Sequence, residues 1–503
     1  MEENSKNLTI AYTKNLNKFN FNTTITASID ANASIKTILD INTYIFDQKV
    51  ECGNGKAIIN GKFGMKVLYI DTDNMSNTIT ETTNFSQTFT DNAITSNTYL
   101  NISDAHISNN VLSTDGILKV NCDISISPIA YLNLGVSNAI SSSEMLITKS
   151  NEIKTNSIAC VVNTQFEHTT NIETKYPISK LLYNNSCFSV SNITAENEFA
   201  VVEGKIISTF LIETTENDEN VIKEFKEVSH VKCDVEIKDL KKEDILDLSF
   251  NLDKSQDNSS IETEDGSNII LTKHTIKVCG VCLKEVSINV VDDAFSTTNE
   301  IETTKAVREC TKNTSTFTLS ELISNEITLL KEETAIDDVI ANLSIYPEVT
   351  NTYIKDGLIY LEGIVSSNLS YIDENKEYKL KTIEIPFIIN TKIQAEVIHC
   401  AHNKIDVVDS KIKVKRGTIV ELEYTLFISL TTFDKENYEM IDSFTMGKPL
   451  NFGDYDFQIF IAKQGETLWE LCKRIKIAPN EINKLNKDLP LIMEGGEKVI
   501  IRR

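Results

Sequence analysis

The sequence predicts a mostly β protein with three tandem β-rich domains that contain short helices, followed by a small C-terminal α+β domain of βααβ order. Alternating apolar and polar residues dominate, as in KAIINGKFGMKVLYI from Lys56 to Ile70, and such alternation is typical of half-buried strands. One pattern around a glycine recurs three times, which indicates repeated domains. From Phe457 onward the pattern changes to a short strand, two helices with apolar faces and a closing strand, which marks off the last domain.

Composition and charge restrict the classes of partner. The 503 residues include 49 Lys and Arg against 73 Asp and Glu, for a formal net charge of -24. A chain this acidic is repelled by phosphate backbones and by the anionic face of a membrane, so we expect no nucleic acid partner. Hydrophobic residues make up 41% of the chain, which is enough to build packed cores.

The N-terminus and the apolar runs predict a cytosolic location. The first residues, MEENSKNLTIAYTKN, contain no basic stretch followed by an apolar run, so no secretory signal is predicted. No apolar run has the length that spans a bilayer, so no transmembrane segment is predicted. In a reducing cytosol we expect the ten cysteines to be free thiols, most of them buried as small apolar side chains.

The recurring pattern is centred on a glycine inside a long strand. The copies read IINGKFGMKVLY, VVEGKIISTFLI and YLEGIVSSNLSY, with glycines at Gly61, Gly204 and Gly363. Upstream, at nearly the same distance, each copy has an apolar segment: IKTIL from Ile35, ISKLL from Ile178 and IDDVI from Ile336. We expect this segment to form a short amphipathic helix on a sheet, and the glycine to permit a bulge or a close backbone approach.

The copies also set the predicted domain boundaries. Phe85 and Phe387 share one position downstream of the glycine, where the second copy has Val228. The spacing between copies is too long for a solenoid repeat and fits whole domains. We therefore place three domains at residues 1–165, 166–315 and 316–452, and the last domain at residues 456–503.

The last domain is predicted in more detail. FQIFIAK reads as a strand, and Thr467 followed by Glu470 forms the capping box that begins a helix. One apolar face of that helix comprises Leu468, Leu471, Cys472 and Ile475. A second helix begins near Pro479, with the apolar stripe Ile482, Leu485 and Leu489, and a closing strand covers Val499 to Ile501.

The segment FIAKQGETLWELCKRIKIAPNEINKLNKDLPLIMEGGEKVIIRR resembles a LysM module in its G-[DE]-T-L-W motif and its closing G-x-[KL]-[VL]-x-I motif. Glu466 stands where Asp is commoner. The resemblance implies a shallow groove between two loops that binds N-acetylglucosamine polymers such as peptidoglycan. Carried over to this sequence, the groove comprises Gly465, Glu466, Thr467, Leu468 and Trp469, with Pro490, Leu491 and Ile492 opposite. These residues also suit roles within the fold, because Thr467 caps a helix and Gly465 makes a turn.

The repeated region is similar to the SPOCS domains of spore-coat proteins in anaerobic endospore-formers. The residues that carry the similarity are Ile59–Asp71, Val202–Gly204, Tyr360–Asp373, Ile385–Phe387 and the segment VDDAFST, Val291–Thr297. The second copy lacks the Tyr that the other two copies share, and it also lacks the Pro-Phe of the third copy. Tandem copies followed by one C-terminal LysM resemble the SipL-type coat morphogenetic proteins.

The SipL-type resemblance implies a non-enzymatic scaffold of spore coat assembly. Such a scaffold works in the mother-cell cytosol at the forespore surface and in the spore coat. It binds the coat-basement ATPase, stage IV sporulation protein A, and other coat proteins, and its LysM contributes to that docking. Tethered modules would then raise effective concentration without new chemistry, and exposed sheet edges suit β-augmentation with partners.

Two other functions stay open. One is a peptidoglycan-binding protein of the cell wall or cortex that uses the LysM groove. The other is an enzyme, a LysM-targeted wall hydrolase, but the sequence has no G-x-S-x-G, P-loop, H-E-x-x-H or dinucleotide motif. We therefore assign no catalytic, cofactor-binding or metal-binding residue and expect no enzyme.

Two short clusters have metal or redox spacing. They are CGVC, with Cys279 and Cys282, and HCAH, with His399, Cys400 and His402. Both lie in β patterns without a second pair of ligands nearby. We expect these side chains to be core or edge residues of strands rather than ligands.

Overall fold

In a computed structural model of the protein, the described residues are 9–15, 21–30, 35–92, 94–101, 105–114, 117–126, 129–137, 146–174, 177–216, 219–254, 259–264, 267–329, 334–392, 400–453, 457–487 and 489–502. Almost all of them belong to antiparallel strands, which confirms the predicted mostly β class. The described part of the chain has two helices, both short and near the C-terminus, and neither has the length and apolar character that crosses a membrane.

Unit 1 lies between Thr9 and Ser137 and contains nine strands. They are β1 (Thr9–Asn15), β2 (Phe21–Asp30), β3 (Ile35–Gly53), β4 (Lys56–Asp71), β5 (Ser76–Thr90), β6 (Thr98–Asn101), β7 (Ala105–Thr114), β8 (Ile117–Ile126) and β9 (Ile129–Ser137). The strands form three sheets, ordered β3-β4-β5, β2-β8-β7 and β1-β9-β6. The first of these is a meander of consecutive strands, and the other two join strands from the two ends of the unit.

Units 2 and 3 repeat this plan with longer strands. Unit 2 contains β10 (Leu146–Glu173), β11 (Lys180–Ala195), β12 (Phe199–Glu216), β13 (Glu219–Glu236), β14 (Ile245–Leu252), β15 (Ser259–Glu264) and β16 (Ser267–Ser296). Unit 3 contains β17 (Asn299–Thr328), β18 (Ile336–Lys355), β19 (Leu358–Asp373), β20 (Tyr378–Lys392), β21 (Cys400–Lys415) and β22 (Ile419–Pro449). Each has a meander, β11-β12-β13 or β18-β19-β20, and an outer sheet, β10-β16-β14 or β17-β22-β21, with β15 paired to β16.

The C-terminal module follows unit 3 and has the predicted βααβ order. It contains β23 (Phe457–Ile461), α1 (Leu468–Ile475), α2 (Pro479–Leu485) and β24 (Lys498–Arg502). Strands β23 and β24 pair antiparallel, with Ile459 opposite Ile500.

Strand pairing places the limits of units 2 and 3 earlier in the chain than residues 166 and 316. The predicted limit at 165/166 falls inside β10, which pairs along its length with β16, and the limit at 315/316 falls inside β17, which pairs with β22. By pairing, the units therefore cover residues 9–137, 146–296 and 299–449. Each begins with a strand whose partner is its own last strand, and such a distant pairing has no local sequence signal.

The predicted amphipathic helix in IKTIL, ISKLL and IDDVI is wrong, because these segments enter the strands β3, β11 and β18. Each of the three strands has a β-bulge whose extra residue faces no partner across the ladder: Leu39, Leu182 and Ile340. A bulge inserts one residue into the alternation. Apolar side chains on one surface can then recur at three- and four-residue spacing, which imitates a helix.

The three bulge residues meet at the centre of the molecule. Leu39 of unit 1, Leu182 of unit 2 and Ile340 of unit 3 are buried in one apolar cluster, together with Leu68 and Leu211 from the meanders. The first strands of the units, β1, β10 and β17, also contact one another in every pairwise combination. The repeats are therefore packed around a common junction, instead of following one another as separate modules.

A buried polar network accompanies the apolar junction. The carboxylate of Asp40 in unit 1 accepts hydrogen bonds from Ser344 Oγ at 2.7 Å and from Asn368 Nδ2 at 3.0 Å, both in unit 3. Asn42 donates to the Tyr183 hydroxyl of unit 2 at 2.9 Å and accepts from the Tyr346 hydroxyl of unit 3 at 2.9 Å. Burial raises the pKa of Asp40 to about 6, although these hydrogen bonds oppose the rise.

A cavity of about 900 Å³ opens beside the junction and is lined by all three units. Ion pairs cross it, because Lys277 of unit 2 lies 3.6 Å from Asp47 of unit 1 and 2.9 Å from Asp253 of its own unit. Asp47 also pairs with Lys62 at 2.9 Å. The units therefore contact one another through charged side chains as well as through the apolar cluster.

The repeated glycine permits the close approach that the sequence predicts. Gly61, Gly204 and Gly363 lie in the middle strands of the meanders, each opposite a bulge in the preceding strand. A Cβ at Gly61 would lie 2.7 Å from the ring of Phe85, its cross-strand partner. A Cβ at Gly363 would lie 2.4 Å from the ring of Phe387, again its cross-strand partner.

Unit 2 covers its glycine with a different aromatic ring. Val228 pairs with Ile207 rather than with Gly204, and it is exposed. The ring over Gly204 belongs to Phe188 of the preceding strand, 2.9 Å from where a Cβ would lie. An aromatic ring against the glycine is thus common to the three meanders, although its position in the sequence is not.

We expect Gly363→Ala to lower the free energy of unfolding by about 2 kcal/mol. The added Cβ would lie 2.1 Å from the backbone oxygen of Glu348, and a backbone atom cannot move away without shifting its strand. Urea denaturation measures the change. Gly53→Ala is the matched control, since the nearest atom to its Cβ is 3.9 Å away on the Lys56 side chain. Equal losses for the two variants would contradict the close approach.

Asp40 should make stability depend on pH with a defined sign. Its folded-state pKa of about 6 exceeds the usual value of 3.8, so the buried charge costs stability above pH 6, and protonation relieves that cost as the pH falls toward 4. Relative to Asp40→Asn, the wild type should gain about 1 kcal/mol between pH 7 and pH 5. Urea denaturation of both proteins at both pH values tests this, and a constant difference would contradict it.

Candidate functional site

The C-terminal module is held together by the predicted capping box. The Thr467 side chain accepts a hydrogen bond from the Glu470 backbone N–H, and the Glu470 carboxylate accepts from the Thr467 backbone N–H at 2.8 Å. Helix α1 then buries Leu471, Cys472 and Ile475 against β24 and the loops. This is the predicted apolar face, except that Leu468 is only half-buried. In the second helix Ile482 is buried, while Leu485 is largely exposed.

The structure brings together the two loops of the predicted groove. Thr467 and Ile492 form an isolated antiparallel bridge, and the Leu468 N–H donates to the Leu491 carbonyl at 3.0 Å. The Met493 N–H donates to the Glu466 carbonyl at 2.8 Å. The backbone therefore fixes the two loops side by side, as the resemblance to LysM implies.

Several predicted groove residues have side chains that serve the module itself. Both oxygens of the nearly buried Glu466 accept from the Arg474 guanidinium, at 2.7 and 2.8 Å, and one also accepts from the Lys463 backbone N–H. The hydrogen bonds from Arg474 hold the pKa of Glu466 below its usual range, against the effect of burial. Thr467 caps α1. Together they connect the loop, the strand β23 and the helix.

Other predicted groove residues face solvent. Leu491 is 79% exposed and Ile492 is 62% exposed, and Gly465 and Pro490 are also exposed. The loops therefore present two apolar side chains beside an open turn. Such residues can contact a partner without disturbing the module's core.

A second exposed apolar surface lies on the outer face of the two-stranded sheet. Phe457, Ile459 and Ile461 alternate along β23 as predicted, but these side chains point to solvent, together with Ile500 of β24. Two cations flank them: Arg502, whose guanidinium is 5.9 Å from the Phe457 ring, and Lys498 opposite Ile461. We name the four apolar residues the outer strip.

Trp469 does not face either of these surfaces, because it packs on unit 2. Its Nε1 donates to Oδ2 of Asp293 at 2.8 Å, and its ring meets the Phe295 ring edge-on at 5.2 Å between centroids. Lys473, one turn further along α1, lies 2.7 Å from Oδ1 of the same aspartate. Phe295 is fully buried in the core of the C-terminal module, so this core extends across the interface.

Electrostatics favour the ionised form of Asp293 in this contact. Burial alone would raise its pKa, but the hydrogen bonds from Lys473 and Trp469 outweigh burial and hold the pKa below the usual range. The chain leaving unit 3 also leads to this place, since the Leu450 N–H donates to the Thr298 carbonyl at 2.8 Å, between β16 and β17.

Sequence reasoning missed Asp293, Phe295 and Lys473 as contact residues. Asp293 and Phe295 lie in VDDAFST, which the sequence marks only as a family feature. Lys473 lies off the apolar face predicted for that helix. A contact between segments so far apart has no periodicity, so the only local signal was that Trp469 is the sole tryptophan.

The two clusters with metal spacing differ in what the structure describes. Cys279 and Cys282 are both in β16, where residues three apart point to opposite faces of the sheet. Cys282 is buried next to Cys160, and burial raises the pKa of all three thiols. No group of three potential ligands occurs within the residues of known placement. His399 and the side chains of Cys400 and His402 lie outside them.

We expect Thr467→Ala to weaken the first turn of α1 by about 1 kcal/mol, because it removes the acceptor at the N-cap. Hydrogen exchange of the Glu470 amide in the full-length protein measures the loss as faster exchange. Thr467→Ser keeps a hydroxyl and should restore slow exchange. Equal exchange in the alanine variant and the wild type would show that the cap contributes little.

Comparison with known proteins finds a family model that matches part of unit 1. Residues 34–124 match the family model described as "SipL, SPOCS domain". No curated protein and no solved structure matches the chain. The matched segment contains the whole first meander, with the bulge residue Leu39, Gly61 and the ring of Phe85. The match shows that residues 34–124 are similar to the SPOCS domain, and it supports a SipL-type protein.

Proposed function

We propose that this chain is a non-enzymatic scaffold of spore coat assembly that binds the coat-basement ATPase, stage IV sporulation protein A, at the forespore surface. The single observation that carries the proposal is the SPOCS domain in residues 34–124, which relates the chain to spore coat proteins. Units 2 and 3 repeat the plan of that domain, and the three units share one packed junction. Three units packed in this way suit a scaffold.

The unusual ionisable groups support a structural rather than a catalytic role. Asp40 bonds unit 1 to unit 3, Glu466 joins a loop to a helix, and Asp293 joins unit 2 to the C-terminal module. Perturbed pKa values occur at active sites and also in structural networks. Here each of the three carboxylates has protein donors on both oxygens.

The C-terminal module is the part we propose for docking to the ATPase. From Phe457 to Arg503 the sequence has nine Lys and Arg against six Asp and Glu, a net charge of +3, which leaves -27 on the remaining residues. The outer strip adds an exposed apolar surface flanked by Lys498 and Arg502. A partner with an apolar patch and an acidic rim complements this surface, and charge complementarity also accelerates association.

One observation favours the glycan alternative. The loops Gly465–Leu468 and Pro490–Ile492 lie side by side, with Leu491 and Ile492 exposed. A LysM-type groove for N-acetylglucosamine polymers would occupy this place. The chain would then be a peptidoglycan-binding protein of the cell wall or cortex.

We expect Ile459→Glu to reduce binding of the purified ATPase to the full-length protein by about tenfold or more, because it places a negative charge in the centre of the outer strip. Biolayer interferometry measures the affinity. Leu322→Glu is the matched control, since Leu322 is similarly exposed but lies on unit 3.

Two results would redirect the proposal. Equal affinities for Ile459→Glu and the wild type would move docking to the three units. If the wild type does not bind the ATPase and instead sediments with insoluble peptidoglycan, and Leu491→Asp abolishes that sedimentation, the glycan alternative is correct.

A further inference from the structure

The C-terminal module is covalently attached to unit 3 but packs on unit 2. Strand β22 of unit 3 ends at Pro449, and the module begins at Phe457. A connection this short lets the module reach neighbouring surfaces of both units. Specific contacts must therefore explain why the module packs on unit 2.

That reason lies at one β-bulge, which units 2 and 3 share. In unit 2 the register shift leaves Asp292 without a cross-strand partner, and in unit 3 the corresponding shift leaves Asp442 without one. The residue after the bulge is Asp293 in unit 2 and Ser443 in unit 3. Two positions further along, unit 2 has Phe295.

Unit 3 has Thr445 where unit 2 has Phe295. A serine and a threonine offer neither a carboxylate for Lys473 nor a ring for the indole. The two bulges have the same backbone pattern, so the side chains make the difference. Only unit 2, of these two, carries both an anionic acceptor and an aromatic face.

We propose that Asp293 and Phe295 of unit 2 form a receptor for Trp469 that fixes the orientation of the C-terminal module on the body. Asp293 and Phe295 are then positioning residues for partner binding, a consequence that rests on the proposed function. The outer strip lies on the opposite face of the module's sheet from its core. Docking of Trp469 on unit 2 therefore keeps the outer strip exposed to solvent and fixes its direction relative to the three units.

The geometry makes the receptor specific for this indole and this helix. Trp469 Nε1 and Lys473 Nζ approach different oxygens of one carboxylate, at 2.8 and 2.7 Å. Both residues project from α1, one turn apart. A shift of the helix by a single residue would break both bonds, so the contact sets the rotation of the module as well as its place.

A fixed orientation also affects the affinity for a partner. A module that moves freely loses conformational freedom when it is captured, whereas an anchored module has already lost it. We therefore expect changes at Asp293 to weaken partner binding, although Asp293 lies outside the module.

The sole tryptophan of the chain provides the readout. We expect Asp293→Ala in the full-length protein to shift the Trp469 emission maximum to longer wavelength and to increase its quenching by iodide, because the indole loses its acceptor and gains contact with water. Ser443→Ala, at the corresponding position of unit 3, is the matched control and should leave both unchanged. Far-UV circular dichroism checks that each variant is folded.

The same proteins are then compared for affinity to the purified ATPase. We expect Asp293→Ala to bind about tenfold more weakly than the wild type, and Ser443→Ala to bind equally. Lys473→Gln removes the ion pair from the other side of the contact and should weaken binding in the same direction. It also keeps the proposal testable if Asp293→Ala fails to fold.

Each outcome decides a separate claim. Unchanged emission and quenching in Asp293→Ala and Lys473→Gln would overturn the receptor. Exposure of Trp469 with unchanged affinity for the ATPase would overturn the positioning role. If the wild type does not bind the ATPase, the proposed function fails, and the emission comparison alone then decides the receptor.

Discussion

The packing of three bulge residues at the junction is the constraint on which the rest of the structure depends. Leu39, Leu182 and Ile340 come from different units and are buried in one cluster. Each is the extra residue of a bulge, and a bulge turns a side chain out of the strand's alternation. The junction requires this outward turn in every unit. The turn therefore fixes the direction in which each meander extends from the junction, and it also fixes the orientation of the outer sheets.

Local features were predictable from the sequence, and pairings over long distances were not. The capping box at Thr467 and the βααβ order are encoded within a few turns of chain, and the close approach at Gly363 follows from a residue without a Cβ. The segment around the bulge residue Leu39 wrongly predicts a helix, because an inserted residue produces helical spacing. The limits of unit 2 depend on the pairing of β10 with β16, and the position of Trp469 depends on its contact with Asp293. Neither long-range contact produces a periodic pattern in the sequence.

The polar part of the junction differs in character from the apolar part. Apolar contacts are tolerant of direction, whereas the Asp40 carboxylate needs donors in fixed positions on unit 3. A buried carboxylate stabilises little overall, because desolvation opposes its hydrogen bonds. Its contribution is to favour one arrangement of units, since a packing that moved unit 3 away would remove the donors Ser344 and Asn368 from the buried carboxylate. The apolar cluster thus supplies cohesion, and Asp40 with Asn42 supplies the register between units.

The difference between Asp293 and Ser443 has a consequence for how the molecule can be used as a building block. Identical repeats would offer equivalent attachment points. The C-terminal module could then pack on unit 2 in one molecule and on unit 3 in another. The sequence difference at one bulge removes that equivalence, so the module packs on the same unit in every molecule. An ordered layer needs subunits that all present the module in the same orientation, and Asp293 and Phe295 favour that orientation because unit 3 lacks them.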